Sequence, residues 1–328
     1  MKEMKVLGKL LVGMALVVAG CIGSSPAWGA YNFEFFNTPN MQPFAITNSG
    51  EIVGGISVNG ENKGFISDSH GVISNYLVAP NSVQTWAEGI NKDTVVGFSI
   101  VDSGYQGFFY DRKTAAYTTY DAPVANVTGT TIESINDHGD FSGHFMLSTD
   151  DLNHGFYVKN GVFTEMNASD ARGTYSTDLD KLTNKYDMSG HYMDGDLTRA
   201  FIYLSDGTKF NLTLPAGSTE MELERMNEFL QAVGYLDVNG RGNTAFYLDG
   251  PNGVPTLLFA PGAYLYSYGE GINDQGVITG SVYDEALGYI GFVGTPYTPV
   301  PEPSTLLLTG AGIAGLGLLG RRRRGNVR

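Results

Sequence analysis

Residues 86–121 alternate apolar and polar positions in four short runs separated by turn residues. Trp86 to Asn91 is one run, broken at Lys92-Asp93; Thr94 to Ile100 is the next, broken at Asp102-Ser103-Gly104. Gln106 to Tyr110 follows, then a turn at Asp111-Arg112-Lys113, and Ala116 to Asp121 closes the set before Pro123. Period-two runs of this length, bounded by Asn, Asp, Gly and Pro, predict β-strands. Four such strands in about 45 residues is the content of one blade of a β-propeller.

The pattern recurs. Ile272-Asn273-Asp274-Gln275-Gly276-Val277-Ile278-Thr279-Gly280 has five earlier versions, which start at Ile46, Ile90, Ile135, Leu182 and Met226. The six starts are separated by 44, 45, 47, 44 and 46 residues, a fixed period that marks a repeat architecture. Asn and Asp in the turn suit local backbone bonding or left-handed geometry, and Gly suits positive φ. The Gly that ends each copy sits inside a strand, where it is expected to let neighbouring blades approach at the tightest part of the ring. Because Asn273, Asp274 and Gly276 belong to a turn repeated six times, they read as scaffold, and function is expected in what differs between copies.

A second landmark keeps step with the first, a small residue before an aromatic: Gly64-Phe65, Gly107-Phe108, Gly155-Phe156, Ala200-Phe201, Ala245-Phe246 and Gly291-Phe292. With both landmarks the chain resembles the extracellular HAF repeat family over nearly all of residues 31–295. That resemblance implies an exported repeat protein and no assigned reaction.

The seam argues for a closed ring. Five units end in a strand before Pro80, Pro123, Ala168, Pro215 or Pro261, but the sixth stops soon after Phe292. Ahead of the first unit stands Asn32-Phe33-Glu34-Phe35-Phe36-Asn37-Thr38-Pro39, which matches the missing strand. The expected fold is therefore all-β, a six-bladed β-propeller whose ring is closed by the N-terminal strand, with Phe33 to Phe36 in the blade of Ile272. An open β-solenoid is the alternative.

The ends carry address information. Residues 1–29 have a basic start with Lys5 and Lys9, an apolar run from Leu10 to Ala19, and small residues before Ala30, the build of a secretory signal peptide cut by signal peptidase. Val18-Ala19-Gly20-Cys21 also resembles a lipobox, which would make Cys21 a lipidation site. At the other end Val300, Pro301, Glu302, Pro303 and Ser304 precede an apolar stretch, Thr305 to Gly320, and then Arg321, Arg322, Arg323 and Arg324. This order resembles the PEP-CTERM sorting signal of Gram-negative bacteria. The resemblance implies removal of the tail by an exosortase and delivery to the cell surface or an exopolysaccharide matrix. Sixteen residues at 1.5 Å each give a helix of only about 24 Å, so 305–320 is expected to cross the inner membrane with bilayer thinning or snorkelling Arg. The chain thus divides into a signal peptide (1–29), a propeller (30–297) and a sorting signal (298–328).

Composition changes this picture little. Gly at 44 of 328 residues, with 19 Tyr and 18 Phe, fits a turn-rich β protein, and one Cys rules out a disulfide framework within the chain. Residues 30–303 hold 12 basic and 33 acidic side chains, a net charge of −21 that argues against nucleic acid as a partner.

Candidate chemistry is sparse. There is no HExxH, CxxC or phosphate-cradling Gly loop. His144 and His191 each follow a strand Gly directly and could meet between adjacent blades; His70, His138 and His154 complete the five His. Asp170, Asp178, Asp180, Asp187, Asp194 and Asp196 cluster in the longest unit, where oxygen-rich loops can hold Ca²⁺, but no EF-hand or nonapeptide spacing supports it. The expectation is no cofactor, no metal and no catalytic residue. Trp86, Tyr105, Tyr264, Tyr266 and Tyr268 are able to stack on sugar rings or to pack the core.

The favoured reading is a non-enzymatic matrix or adhesion protein with exopolysaccharide as a partner; the alternative is a secreted propeller that hydrolyses glycans. A channel mouth holding two or more carboxylates and a His would favour the hydrolase. An apolar or plugged mouth would favour binding.

Overall fold

The computed structural model describes residues 31–297, apart from 171–172, 239, 241 and 260–262. The signal peptide, Cys21, and the sorting tail from residue 298 lie outside the described residues, among which no helix is long and apolar enough to cross a membrane.

Six four-stranded antiparallel sheets follow one another along the chain. Their first strands are Met41–Ile46, Gln84–Ile90, Val127–Ile135, Thr177–Leu182, Met221–Met226 and Tyr266–Ile272. Each first strand touches the first strands of the blades on both sides, including the pair Met41–Ile46 and Tyr266–Ile272, so the six line a closed axis. This is a six-bladed β-propeller. Its seam is the one the sequence predicts: Tyr31–Pro39 is hydrogen-bonded to Gly288–Pro296 as the fourth strand of the sixth blade. Phe33 packs edge-on against Phe292 with ring centroids 5.5 Å apart, and Phe36 is buried. A small hairpin, Ser169–Asp170 with Gly173–Thr174, is added between the third and fourth blades.

The aromatic landmark is the core of each blade. Phe65, Phe108, Phe156, Phe201, Phe246 and Phe292 are all fully buried, and burying a side chain of that size contributes about 1.5–3 kcal/mol. The small residue before the Phe sits between its own blade's fourth strand and the next blade: a Cβ on Gly107 would lie 2.9 Å from Tyr120 O and 3.0 Å from Ile132, and one on Gly64 3.1 Å from Leu77 and 3.3 Å from Ala87.

The glycine that ends each motif copy does a different job from the one expected of it. A Cβ on Gly54, Gly97, Gly143, Gly190, Gly234 or Gly280 would strike a backbone carbonyl of the blade's own first strand, at 1.9–2.1 Å. That carbonyl belongs to Gln42, Trp86, Thr131, Asp178, Glu222 or Tyr268, two residues before the register shift that all six first strands carry. The glycine therefore makes room for a β-bulge within the blade, and the close approach between blades falls to the small residue of the second landmark. Gly234→Ala should cost roughly 3 kcal/mol or more, at the upper end of overpacking, read as a lower urea midpoint at unchanged m-value.

Candidate functional site

The repeated turns close on one another at one end of the axis. In four of the six turns the residue after the leading apolar one is Asn (Asn91, Asn136, Asn227 and Asn273; Thr47 and Thr183 stand in the other two), and its side chain first caps its own loop: Asn273 Oδ1 accepts from the N–H groups of Gln275 and Val277 at 3.1 and 3.0 Å. Its Nδ2 then donates to Thr47 O of the next blade at 3.0 Å. Asn227 donates in the same way to Asn273 O, Asn136 to Thr183 O and Asn91 to Asn136 O. The following residue adds a second course. Asn48 Nδ2 donates to Asp274 at 2.7 Å and the Asp274 N–H donates back to Asn48 Oδ1 at 2.9 Å, a reciprocal pair repeated between Asn184 and Asp137. Glu228 accepts from the Asn184 N–H, and its own N–H donates to Asp274. The turn chemistry is thus spent on clasping the blades together. In the shortened turn of the second blade the corresponding place is taken by Lys92.

Inside this belt opens a funnel of about 580 Å³. Its floor is an apolar ring of Ile46, Ile90, Ile135, Met226 and Ile272, interrupted by Lys181. Its wall is the belt of Asn side chains, and Arg112, ion-paired with Glu51, stands beside Lys92. No His lines it.

Beneath the floor the bulges define a carboxylate ring. Each register shift leaves unpaired the residue two places before the leading apolar residue of the motif, Phe44, Glu88, Glu133, Asp180, Glu224 or Glu270, and in the fourth blade Leu179 as well. Five of six blades thus supply an acid at one register. Arg225, from the fifth blade, reaches across to the second and third: Nη2 donates to Glu88 O at 3.0 Å and Glu133 O at 3.1 Å, and lies 3.6 Å from the Glu88 carboxylate. Burial pushes Glu88, Glu133 and Glu270 each up to about 8, with Arg225 acting against it. The ring is not dry; the Glu88, Glu133 and Glu224 side chains keep 12–15% of their surface open.

One further layer down, the structure brings His144 and His191 together through a shared carboxylate. Asp178 lies 3.3 Å from His144 Nδ1 and 3.1 Å from His191 Nε2. His191 Nδ1 meets Asp180 at 2.9 Å and its Nε2 lies 3.6 Å from Glu222. Burial opposes charge on His191, but Glu222, Asp180 and Asp178 hold its pKa well above the usual imidazole value. Burial also opposes charge on Asp178, yet the two imidazoles and Asn153 keep its carboxyl well below the usual range. Burial pushes Glu222 up to about 7, against His191 and the short hydrogen bond from Tyr235. Aromatic rings share this level of the axis: Trp86 packs between Phe44 and Phe98 with centroids 6.0 and 6.4 Å away, and Tyr268 meets Tyr235, the donor to Glu222, at 4.8 Å.

The other sequence candidates scatter. Of the acidic cluster only Asp178 and Asp180 reach the axis; Asp187 accepts from Ser205 N–H, Asp194 pairs with Arg199 and Asp196 is exposed. The side chain of Asp170 lies outside the described residues. His154 stacks on Phe145 beside Glu165 and Asp150, His138 stacks on Tyr186, and His70 meets Glu34 at the surface. Tyr264 packs on Phe259, while Tyr105 and Tyr266 are exposed. Among the described residues no group of three or more His, Cys, Asp or Glu is arranged to hold a metal. The carboxylate ring was missed by sequence reasoning, although the signal is present: an acid stands two places before the leading apolar residue in five of six copies.

Fold and site together define a six-bladed propeller with a belted mouth and a charged axis. The PEP-CTERM protein-sorting motif matches residues 299–324. This motif is the recognition signal of exosortase, so the protein is exported and is held in the membrane transiently before its tail is cleaved. No curated protein matches the sequence. Among solved structures, the chain is similar to a prolyl endopeptidase at 10% identity and a TM-score of 0.47, covering 78% of this chain and 40% of that one. TolB from Acinetobacter baumannii has 10% identity, a TM-score of 0.44 and coverage of 78% and 63%. An exported protein from Bacteroides fragilis has 9% identity, a TM-score of 0.43 and coverage of 84% and 98%. The chain therefore spans less than two thirds of the first two, and likeness at this level carries no functional argument.

Proposed function

We propose that the protein is a non-enzymatic binding protein of the cell surface or exopolysaccharide matrix, holding a polyhydroxylated ligand in its funnel. The observation that supports this reading is the funnel itself. It combines an apolar floor able to meet the C–H face of a sugar with amide and hydroxyl walls, in a volume that suits one or two sugar rings. The carboxylates and imidazoles lie beneath that floor, and Arg225 is already bonded among them.

One observation favours glycan hydrolysis as a second reading. Asp178 and Glu222 approach the same His191 nitrogen, and their environments push them in opposite directions, as an acid and a base would require.

The two separate in one experiment. The purified protein is incubated with the exopolysaccharide of its own host, and retention and new reducing ends are both measured. Retention with a constant reducing-end count is the expected outcome. Release of reducing ends that is lost in Glu222→Gln would replace the binding reading by the hydrolytic one.

A further inference from the structure

The funnel's charges are arranged unequally. Its acids are tied into the belt: Asp274 accepts from Asn48 Nδ2 and the Glu228 N–H, Asp137 from Asn184 Nδ2, and Glu228 from the Asn184 N–H. Arg112 is committed to Glu51 and to the Asn91 and Lys92 carbonyls. Two ammonium groups are different. Lys92 on the rim and Lys181 on the floor line the cavity, and among the described residues neither has a carboxylate within 4 Å or a side-chain hydrogen bond. Lys181 also lines a pocket of about 40 Å³ below the floor, which it shares with Arg225.

Position in the repeat sharpens the point. At the register of Lys181 the other blades carry Ala45, Gly89, Ser134, Arg225 and Gly271. Arg225 is spent on the carbonyls of Glu88 and Glu133, so Lys181 is the cation that this layer offers upward to the funnel. Burial and the nearby Arg225 charge push it down to about 8, against the attraction of Glu228, Asp137 and Asp274. A partly buried ammonium beside a second cation gains from an incoming anion, because that anion restores the charge favoured in water.

We infer that the funnel recognises an acidic saccharide, a uronate whose carboxylate pairs with Lys181 on the floor while its ring rests on the apolar residues around it. This deepens the binding reading given above and rests on it. Lys92 meets a second carboxylate, or the outer hydroxyls of the next sugar, at the rim. Selectivity for a uronate over a neutral sugar follows, since only the former supplies the missing counter-charge.

The test is calorimetric titration of the purified full-length protein with a glucuronate trisaccharide, a neutral glucose trisaccharide and acetate, for the wild type, Lys181→Met and Lys181→Arg. The wild type is expected to bind the glucuronate trisaccharide at least tenfold more tightly than the glucose one, and acetate not measurably. Lys181→Met should remove that preference without lowering the thermal midpoint, and Lys181→Arg should keep most of the preference. Titration at pH 8 in two buffers of different ionisation enthalpy should show proton uptake on uronate binding in the wild type and none in Lys181→Met. Equal affinity for charged and neutral trisaccharides, or an unchanged preference in Lys181→Met, overturns the uronate inference and leaves saccharide binding standing. Acetate bound as tightly as the glucuronate trisaccharide overturns it too, by reducing the site to a bare anion site. Failure of both trisaccharides to bind overturns the binding reading itself.

Discussion

Replacing Arg225 with Met should destabilise the propeller by about 3–5 kcal/mol at pH 8, the cost of stranding a buried charge partner. Its side chain retains only 6% of its surface, and its guanidinium bonds carbonyls of two other blades while standing among the carboxyls of Glu88, Glu133 and Glu224. Met fills similar volume, so the loss reports the charge and the hydrogen bonds and not a cavity. At pH 5, where the carboxyls are mostly protonated, the cost should shrink. Adding Glu88→Gln and Glu133→Gln to Arg225→Met should recover part of the loss at pH 8. Urea unfolding of the three proteins, the wild type included, at both pH values is the measurement, and a loss independent of pH would show that packing and not charge is what Arg225 supplies.

Stability should fall as pH rises from 5 to 8. Glu88, Glu133 and Glu270 titrate near 8 and Glu222 near 7 in the folded chain, against an ordinary value of 4.5. Between those limits the folded state binds more protons than the unfolded one, so each unit of pH weakens it. His191 acts in the same direction: its raised pKa stabilises fully below 6.5 and is lost as pH rises through the folded value. Asp178 contributes stability above 3.8 that disappears only in strong acid, so it does not offset the trend. Lys181, lowered to about 8, reverses the sign only above that value, where its neutral form is favoured in the folded state. A melting temperature several degrees higher at pH 5 than at pH 8, with a shallower slope in Glu88→Gln, is the expected pattern. A flat or rising profile across this range would mean that water and counter-ions in the channel discharge the ring.

Much of the architecture was legible because it is short-range and repeated. Alternation within five to seven residues sets which face of each strand is buried, and the Asn, Asp and Gly of the turn act within four residues of themselves. Six copies of the same local pattern make six blades, and the orphan strand Phe33 to Phe36 could belong only where the sixth copy lacked one. The turn residues have the scaffold role that their repetition implies, since Asn273 and its equivalents bond the neighbouring turn, and the same amides also wall the funnel.

The axis was not legible in the same way. Glu88, Glu133, Asp180, Glu224 and Glu270 share a register, but nothing local to any one of them shows that a bulge turns it inward, because the bulge depends on a glycine in the next strand. The glycine's role was misassigned for the same reason: its clash partner is a carbonyl eleven or twelve residues earlier in the chain, in the adjacent strand. Lys181 and Arg225 carry no repeat signal, standing where other copies have Ala, Gly or Ser. Their opposite uses, one spent on the carboxylate ring and one free toward the funnel, exist only once the ring closes and places residues up to 137 positions apart within hydrogen-bonding distance. Alternation and turn chemistry are written into each 45-residue unit; the charge balance of the axis is a property of all six units meeting.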